Sequence, residues 1–119
     1  MPFTRRSKAF VYVLRRPMLL DEAAALAIRR EIEGIVAKDR CWHLVVDLSG
    51  VIIVGTAGLR LLLRLKARCE QLDRGFALCG LQPLVREVLH ITNLDQVFEI
   101  YDDADVAIKA LGASQTTVA

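Results

Sequence analysis

The stretch His43–Leu63, HLVVDLSGVIIVGTAGLRLLL, decides the fold. Leu44, Val45 and Val46 form a short apolar run rich in β-branched residues, the composition of a strand covered on both faces. Asp47-Leu48-Ser49-Gly50 breaks it with turn formers, and Val51 to Val54 is a second brief apolar run. Gly55-Thr56-Ala57-Gly58 then stops the strand and opens a Leu-rich helix, with Thr56 suited to the N-cap. A helix start presents unpaired backbone N–H groups and a positive dipole end. A phosphate on Thr56 would therefore be held there and not repelled.

Outward from this stretch, strands and helices alternate. Ala9 to Leu14 has strand composition, ended or bent by Pro17, with Arg15-Arg16 near the sheet edge. Asp21 caps a helix to about Ala37, with Ala25, Ile28, Ile32, Ile35 and Val36 as its buried stripe and Arg29, Arg30, Glu31 and Glu33 outward. The helix from Ala57 to about Leu72 carries more Leu than one sheet contact needs, and Arg60, Arg64 and Arg68 recur four apart along it. Phe76 to Cys79 is a strand ended by Gly80, and Pro83 opens a third helix that Thr92-Asn93 closes. Val97 to Tyr101 is a last strand, and Asp102 with Asp105 resembles a capping pair for a helix ending at Gly112. This alternation predicts an α/β layer fold: a mixed β-sheet of about four to five strands with about four helices packed on it.

A chain of 119 residues fits one domain. We divide it into a basic N-terminal arm or first edge strand (1–8), one domain (9–112) and a small polar tail (113–119) expected to be disordered. Hydrophobic residues make up 54% and aromatic ones 6%, so the core is aliphatic. The net charge of +2 gives no overall drive toward nucleic acid. It is unevenly spread: Arg5, Arg6, Lys8, Arg15 and Arg16 make the start basic, and Asp95, Glu99, Asp102, Asp103 and Asp105 make the end acidic. No apolar run reaches the roughly 18 residues of a membrane span, and the start lacks the apolar core of a signal peptide, so a cytoplasmic protein is expected.

Cys41, Cys69 and Cys79 lack C-x-x-C spacing and read as reduced thiols packed as small hydrophobes. His43 and His90 have neither nucleophile nor metal-ligand spacing around them. The glycine-rich phosphate loops, H-E-x-x-H and G-x-S-x-G are missing, so neither an enzyme nor a metal site is expected.

The runs VVDLSGV and TAGLRLLLRLK, with ALCGLQPLVREVLHITNLDQVFEIYDDADVAIKAL after them, resemble the STAS domain family, in particular the single-domain bacterial anti-sigma-factor antagonists. The resemblance covers about Phe10 to Leu111. It implies a STAS-like layered fold and, as partner, an anti-sigma factor with a histidine-kinase-like ATPase fold. The unphosphorylated form would bind that partner, and phosphorylation at Thr56 would switch the contact off. ATP and magnesium would belong to the partner. This chain would need no cofactor of its own, contact no nucleic acid directly and insert into no membrane; a weak homodimer stays open.

Family members carry Asp-Ser-Ser-Gly or Asp-Thr-Ala-Gly at the helix mouth, and here Gly55 stands at the Asp position. The partner surface is placed on Ser49, Gly55, Thr56, Ala57, Gly58, Arg60, Leu61 and Arg64. Thr-Ala-Gly-Leu at Thr56–Leu59 also resembles the STAS structural subunit of phospholipid-transport ATPase complexes, an alternative that needs no phosphorylation.

Overall fold

The structure is a computed structural model and describes residues 3–6, 9–14, 18–38 and 43–118. Lys8, Arg15, Arg16, Pro17 and Cys41 lie outside the described residues, as does the side chain of Val36.

The chain runs β1 (Phe3–Arg6), β2 (Ala9–Val13), β3 (Met18–Leu20), α1 (Glu22–Lys38), β4 (His43–Asp47), β5 (Val51–Val54), α2 (Thr56–Gln71), β6 (Phe76–Cys79), α3 (Pro83–Ile91), β7 (Glu99–Tyr101) and α4 (Ala104–Val118). A 3₁₀ turn at Leu94–Gln96 precedes β7. The main sheet has five strands in the order β1-β2-β4-β6-β7, and β3 and β5 form a separate two-stranded sheet. β1 pairs antiparallel with β2, and the other main-sheet pairs are parallel. The expected mixed α/β architecture is therefore present.

The central strands read as continuous apolar runs because both faces are covered: His43 to Val46 and Phe76 to Cys79 are all buried. Side chains alternate across the sheet. Tyr12, Leu44, Val46, Phe76 and Leu78 meet Ile28 and Ile32 of α1 and Leu61, Leu62 and Leu65 of α2 in the larger core. Val11, Val45, Ala77 and Cys79 meet Ala107 and Leu111 of α4 in a thinner one. Phe76 and Phe98 pack at 6.1 Å between ring centroids.

Local signals explain most boundaries. The Asp21 carboxylate accepts from the Ala24 N–H at 3.0 Å, so the predicted cap of α1 is in place. Pro83 occupies the first turn of α3, and Thr92 is its C-cap. The α4 cap, expected from Asp102 and Asp105, is Asp103, whose Oδ1 accepts from the Val106 N–H at 2.9 Å. α4 also runs past Gly112 to Val118, through the segment expected to be disordered. Glycine ends a helix when it turns left-handed and otherwise only weakens it by about 1 kcal/mol, and Ala113, Ser114 and Gln115 do not oppose helix.

β3 was not anticipated, and β5 leaves the main sheet to join it, with Leu19 opposite Ile53 and Leu20 opposite Val54. Tight turns hold this ledge to the main sheet. Gly50 N–H donates to the Leu14 carbonyl at 2.6 Å, and Ser49 N–H donates to Asp47 Oδ1 at 2.9 Å. Gly80 has φ +68°, and a Cβ there would lie 2.8 Å from Asp47 Oδ1, so both backbone angle and space call for glycine.

Candidate partner-binding and modification site

The mouth of α2 lies where the β3–β5 ledge meets the helix layer. Gly55 is its N-cap, in extended backbone at φ −92° and ψ −178°, and its carbonyl accepts the first helical bond from Leu59 N–H at 3.0 Å. Thr56 is thus the first helical residue and not the cap predicted for it. The cap must keep extended angles while its carbonyl enters the helix, and the residue hydrogen-bonded to β3 through its N–H, Gly55 to the Leu20 carbonyl at 3.1 Å, meets that condition. Since glycine has no side chain, no side chain caps α2 and no acidic residue lies in its first turn. Thr56 is exposed at this positive, uncapped end.

The structure divides the predicted partner surface. Ser49, Gly55, Thr56, Arg60 and Arg64 are exposed and Ala57 is half-buried. Gly58 and Leu61 are buried, which removes both as direct contacts. A Cβ on Gly58 would stand 2.7 Å from the Leu20 carbonyl oxygen and 2.8 Å from the side chains of Leu20 and Val54, so this glycine lets α2 lie against the ledge. Leu61 is 4% exposed because the helix turns it toward α1. The Leu surplus of α2 is accordingly spent on two neighbours, the sheet and α1, and of its leucines only Leu63 stays exposed among the large hydrophobics.

Apolar surface lies instead on the ledge, where sequence reasoning missed it. Leu19 is 55% and Ile53 48% exposed, and the two are register partners, Ile53 two residues before Gly55. A four-residue apolar run carries no sign of which of its members face solvent, so Val51–Val54 offered no signal for this. Exposed aliphatic side chains on the strand that leads into an exposed hydroxyl and, a turn and two turns later, exposed arginines have the composition of a docking surface.

Ser49 is fixed as a turn residue. Gln82 Nε2 donates to its carbonyl at 2.6 Å, tying the β4–β5 turn to the start of α3. His43 is buried and accepts the Gly75 N–H at Nδ1 over 2.7 Å, while exposed His90 lies 2.9 Å from Asp95. Cys69 and Cys79 are free and buried; burial pushes their thiols up to about 11 and about 12, which keeps them protonated at neutral pH. Among the described residues no cluster of His, Cys, Asp and Glu could hold a metal ion, and no helix is long and apolar enough to cross a membrane.

With this geometry in view, comparison with known proteins places the chain. The STAS domain model matches residues 3–107. The chain belongs to the STAS domain family. It is 31% identical over 92 residues to BtrV of Bordetella bronchiseptica, a candidate anti-sigma factor antagonist, covering 77% of this chain and 78% of that one. It is 24% identical over 101 residues to the anti-sigma F factor antagonist of Paenibacillus polymyxa, covering 85% and 86%. The solved STAS domain protein of Planctomyces limnophilus superposes with a TM-score of 0.82 at 26% identity over 92% of this chain and 96% of that one. The superposition shows that the two proteins share the fold.

Proposed function

We propose that this STAS protein is an anti-sigma-factor antagonist whose unmodified form binds an anti-sigma factor with a histidine-kinase-like ATPase fold, and that phosphorylation of Thr56 by that partner ends the contact. The observation that carries the reading is the exposed Thr56 at the uncapped start of α2, beside the exposed Leu19–Ile53 pair, in a chain whose relatives are named as anti-sigma factor antagonists. The bound surface consists of Ser49, Gly55, Thr56, Ala57, Arg60 and Arg64, joined by Leu19 and Ile53.

The physical logic of the switch separates fold from interface. A phosphate adds a charge of about −1.5 to −2, which the helix start tolerates locally. At the centre of a partner interface the same charge must be stripped of water with no counter-charge provided. That costs about 2 kcal/mol or more, which is roughly thirtyfold in affinity. Thr56→Glu, measured by calorimetry against the cognate anti-sigma factor, should therefore weaken binding at least about thirtyfold while circular dichroism stays unchanged. Arg64→Glu, a rim charge, should slow association and alter its salt dependence.

Wild-type affinity in both variants would move the interface elsewhere. With glycine at position 55, phosphate transfer to Thr56 should be slow, and mass spectrometry after incubation with the partner and ATP reads it directly. Gly55 is also the observation that favours the second reading, a non-phosphorylated STAS structural subunit of a phospholipid-transport ATPase complex. Absence of any mass gain with every kinase partner would bring that reading forward.

A further inference from the structure

A groove of about 230 Å³ lies between α1 and α2. Its walls follow from helical spacing. Glu22, Leu26 and Arg29 stand on one stripe of α1, and Ala57, Arg60 and Arg64 on the facing stripe of α2, about two turns on each helix. Ala25 and Leu61, both buried, contribute an apolar floor. Arg60 and Arg64 of α2 therefore face Arg29 and Glu22 of α1 across a concave surface with an apolar floor.

Two of the three arginines have no partner in the fold among the described residues. Arg60 and Arg64 make no ion pair or hydrogen bond among the described residues. Arg29 has an ion pair with Glu33 at 3.7 Å, too long for a hydrogen bond, and its Nε is buried with no hydrogen-bond partner. A buried guanidinium N–H without an acceptor costs free energy, which a rearrangement of the Arg29 side chain onto an incoming anion would recover. Because a guanidinium presents paired N–H donors in a plane, a phosphate is the anion it matches best.

The shape limits the rest of the ligand. The volume falls below the roughly 300 Å³ at which pockets for drug-sized molecules begin, so the body must be compact. Glu22 would repel an extended acidic segment, whereas a single anionic head seated among the arginines avoids it. We propose that the α1–α2 groove binds a small organic phosphate, its head held by Arg29, Arg60 and Arg64 and its apolar body on Ala25, Leu26 and Leu61. The inference does not rest on the antagonist reading, since Arg29 lies outside the partner surface and the test needs no partner protein.

The test is a two-dimensional amide NMR titration of the full chain with phenyl phosphate, with inorganic phosphate and benzyl alcohol as separate arms. Phenyl phosphate should shift amides around Arg29 and from Arg60 to Arg64 saturably, and bind at least about tenfold tighter than either inorganic phosphate or benzyl alcohol. Arg29→Gln and Arg64→Gln should each weaken it about tenfold, and Arg64→Lys, which keeps charge but loses the fork, several-fold. Arg86→Gln on α3 should leave it unchanged. The proposal is overturned if phenyl phosphate gives no saturable shifts. It is equally overturned if the shifts are confined to Thr56–Gly58 and survive Arg29→Gln, which would mark a helix-end effect, or if an acidic peptide moves the groove amides where phenyl phosphate does not.

Discussion

The two faces of the main sheet are built to different depths. Beneath α1 and α2 the sheet presents Tyr12, Leu44, Phe76 and Leu78, and the helices answer with Ile and Leu. Beneath α4 it presents Val, Ala and Cys, answered chiefly by Ala107 and Leu111. The deep face backs both the mouth of α2 and the arginine groove. What this teaches is that the candidate site rests on the part of the core with the most apolar area, so its exposed residues can change charge without endangering the fold.

That contrast can be broken most directly by deletion. Leu62→Ala, in the deep core at 1% exposure, should cost about 4 kcal/mol, whereas Ala107→Gly on the α4 face should cost about 1 kcal/mol, both read by urea denaturation. Equal losses would mean that the thin face contributes as much as the deep one. Gly58→Val should cost about 3 kcal/mol and lower the thermal midpoint by roughly 10 °C, because its side chain would press on the Leu20 carbonyl. A stable Gly58→Val protein would show that the ledge yields to α2.

Each face also holds one of the two described thiols, which gives a pH test. Cys69 is raised from 9.0 to about 11 and Cys79 from 9.0 to about 12, burial being the main cause in both. The unfolded chain ionises its thiols first, so the stability they contribute is full below pH 9 and is lost as pH rises toward 11 and 12. Cys79→Ala should flatten part of that alkaline decline and leave the part due to Cys69, as followed by denaturation at several pH values. The smallest effect is expected at the helix mouth. A Cβ on Gly55 meets only the Leu20 carbonyl at an ordinary 3.7 Å, so Gly55→Asp should fit and stabilise by about 0.5 kcal/mol through capping and the dipole.

Much of this was readable before the structure, and the exceptions have physical reasons. His43 to Leu63 gave strand, turn, second run and helix because apolar period and turn chemistry agree there at each step. β3 stayed hidden since Met18-Leu19-Leu20 is too short to show a period. β5 was seen as a strand but not as a ledge, because which strand it pairs with is a long-range fact. Exposure of the named partner-surface residues was half legible: Ser49, Gly55, Thr56, Arg60 and Arg64 are exposed, while Gly58 and Leu61 are buried by packing between α2 and its neighbours, which no helical spacing reveals.

The unfinished start of α2 has a consequence for how the molecule can be watched. With glycine at the cap and no carboxylate in the first turn, the amide hydrogens of the opening residues are held by nothing on a side chain. Their exchange with solvent deuterium is then governed by fraying of that single turn. Any negative group arriving at Thr56 would draw those amides inward and slow their exchange, while amides deeper in the helix keep their rate. The residues Thr56 to Gly58 thus form an isotopic meter at the hydroxyl, able to report the charge state of the mouth in a mixture where no partner has been labelled.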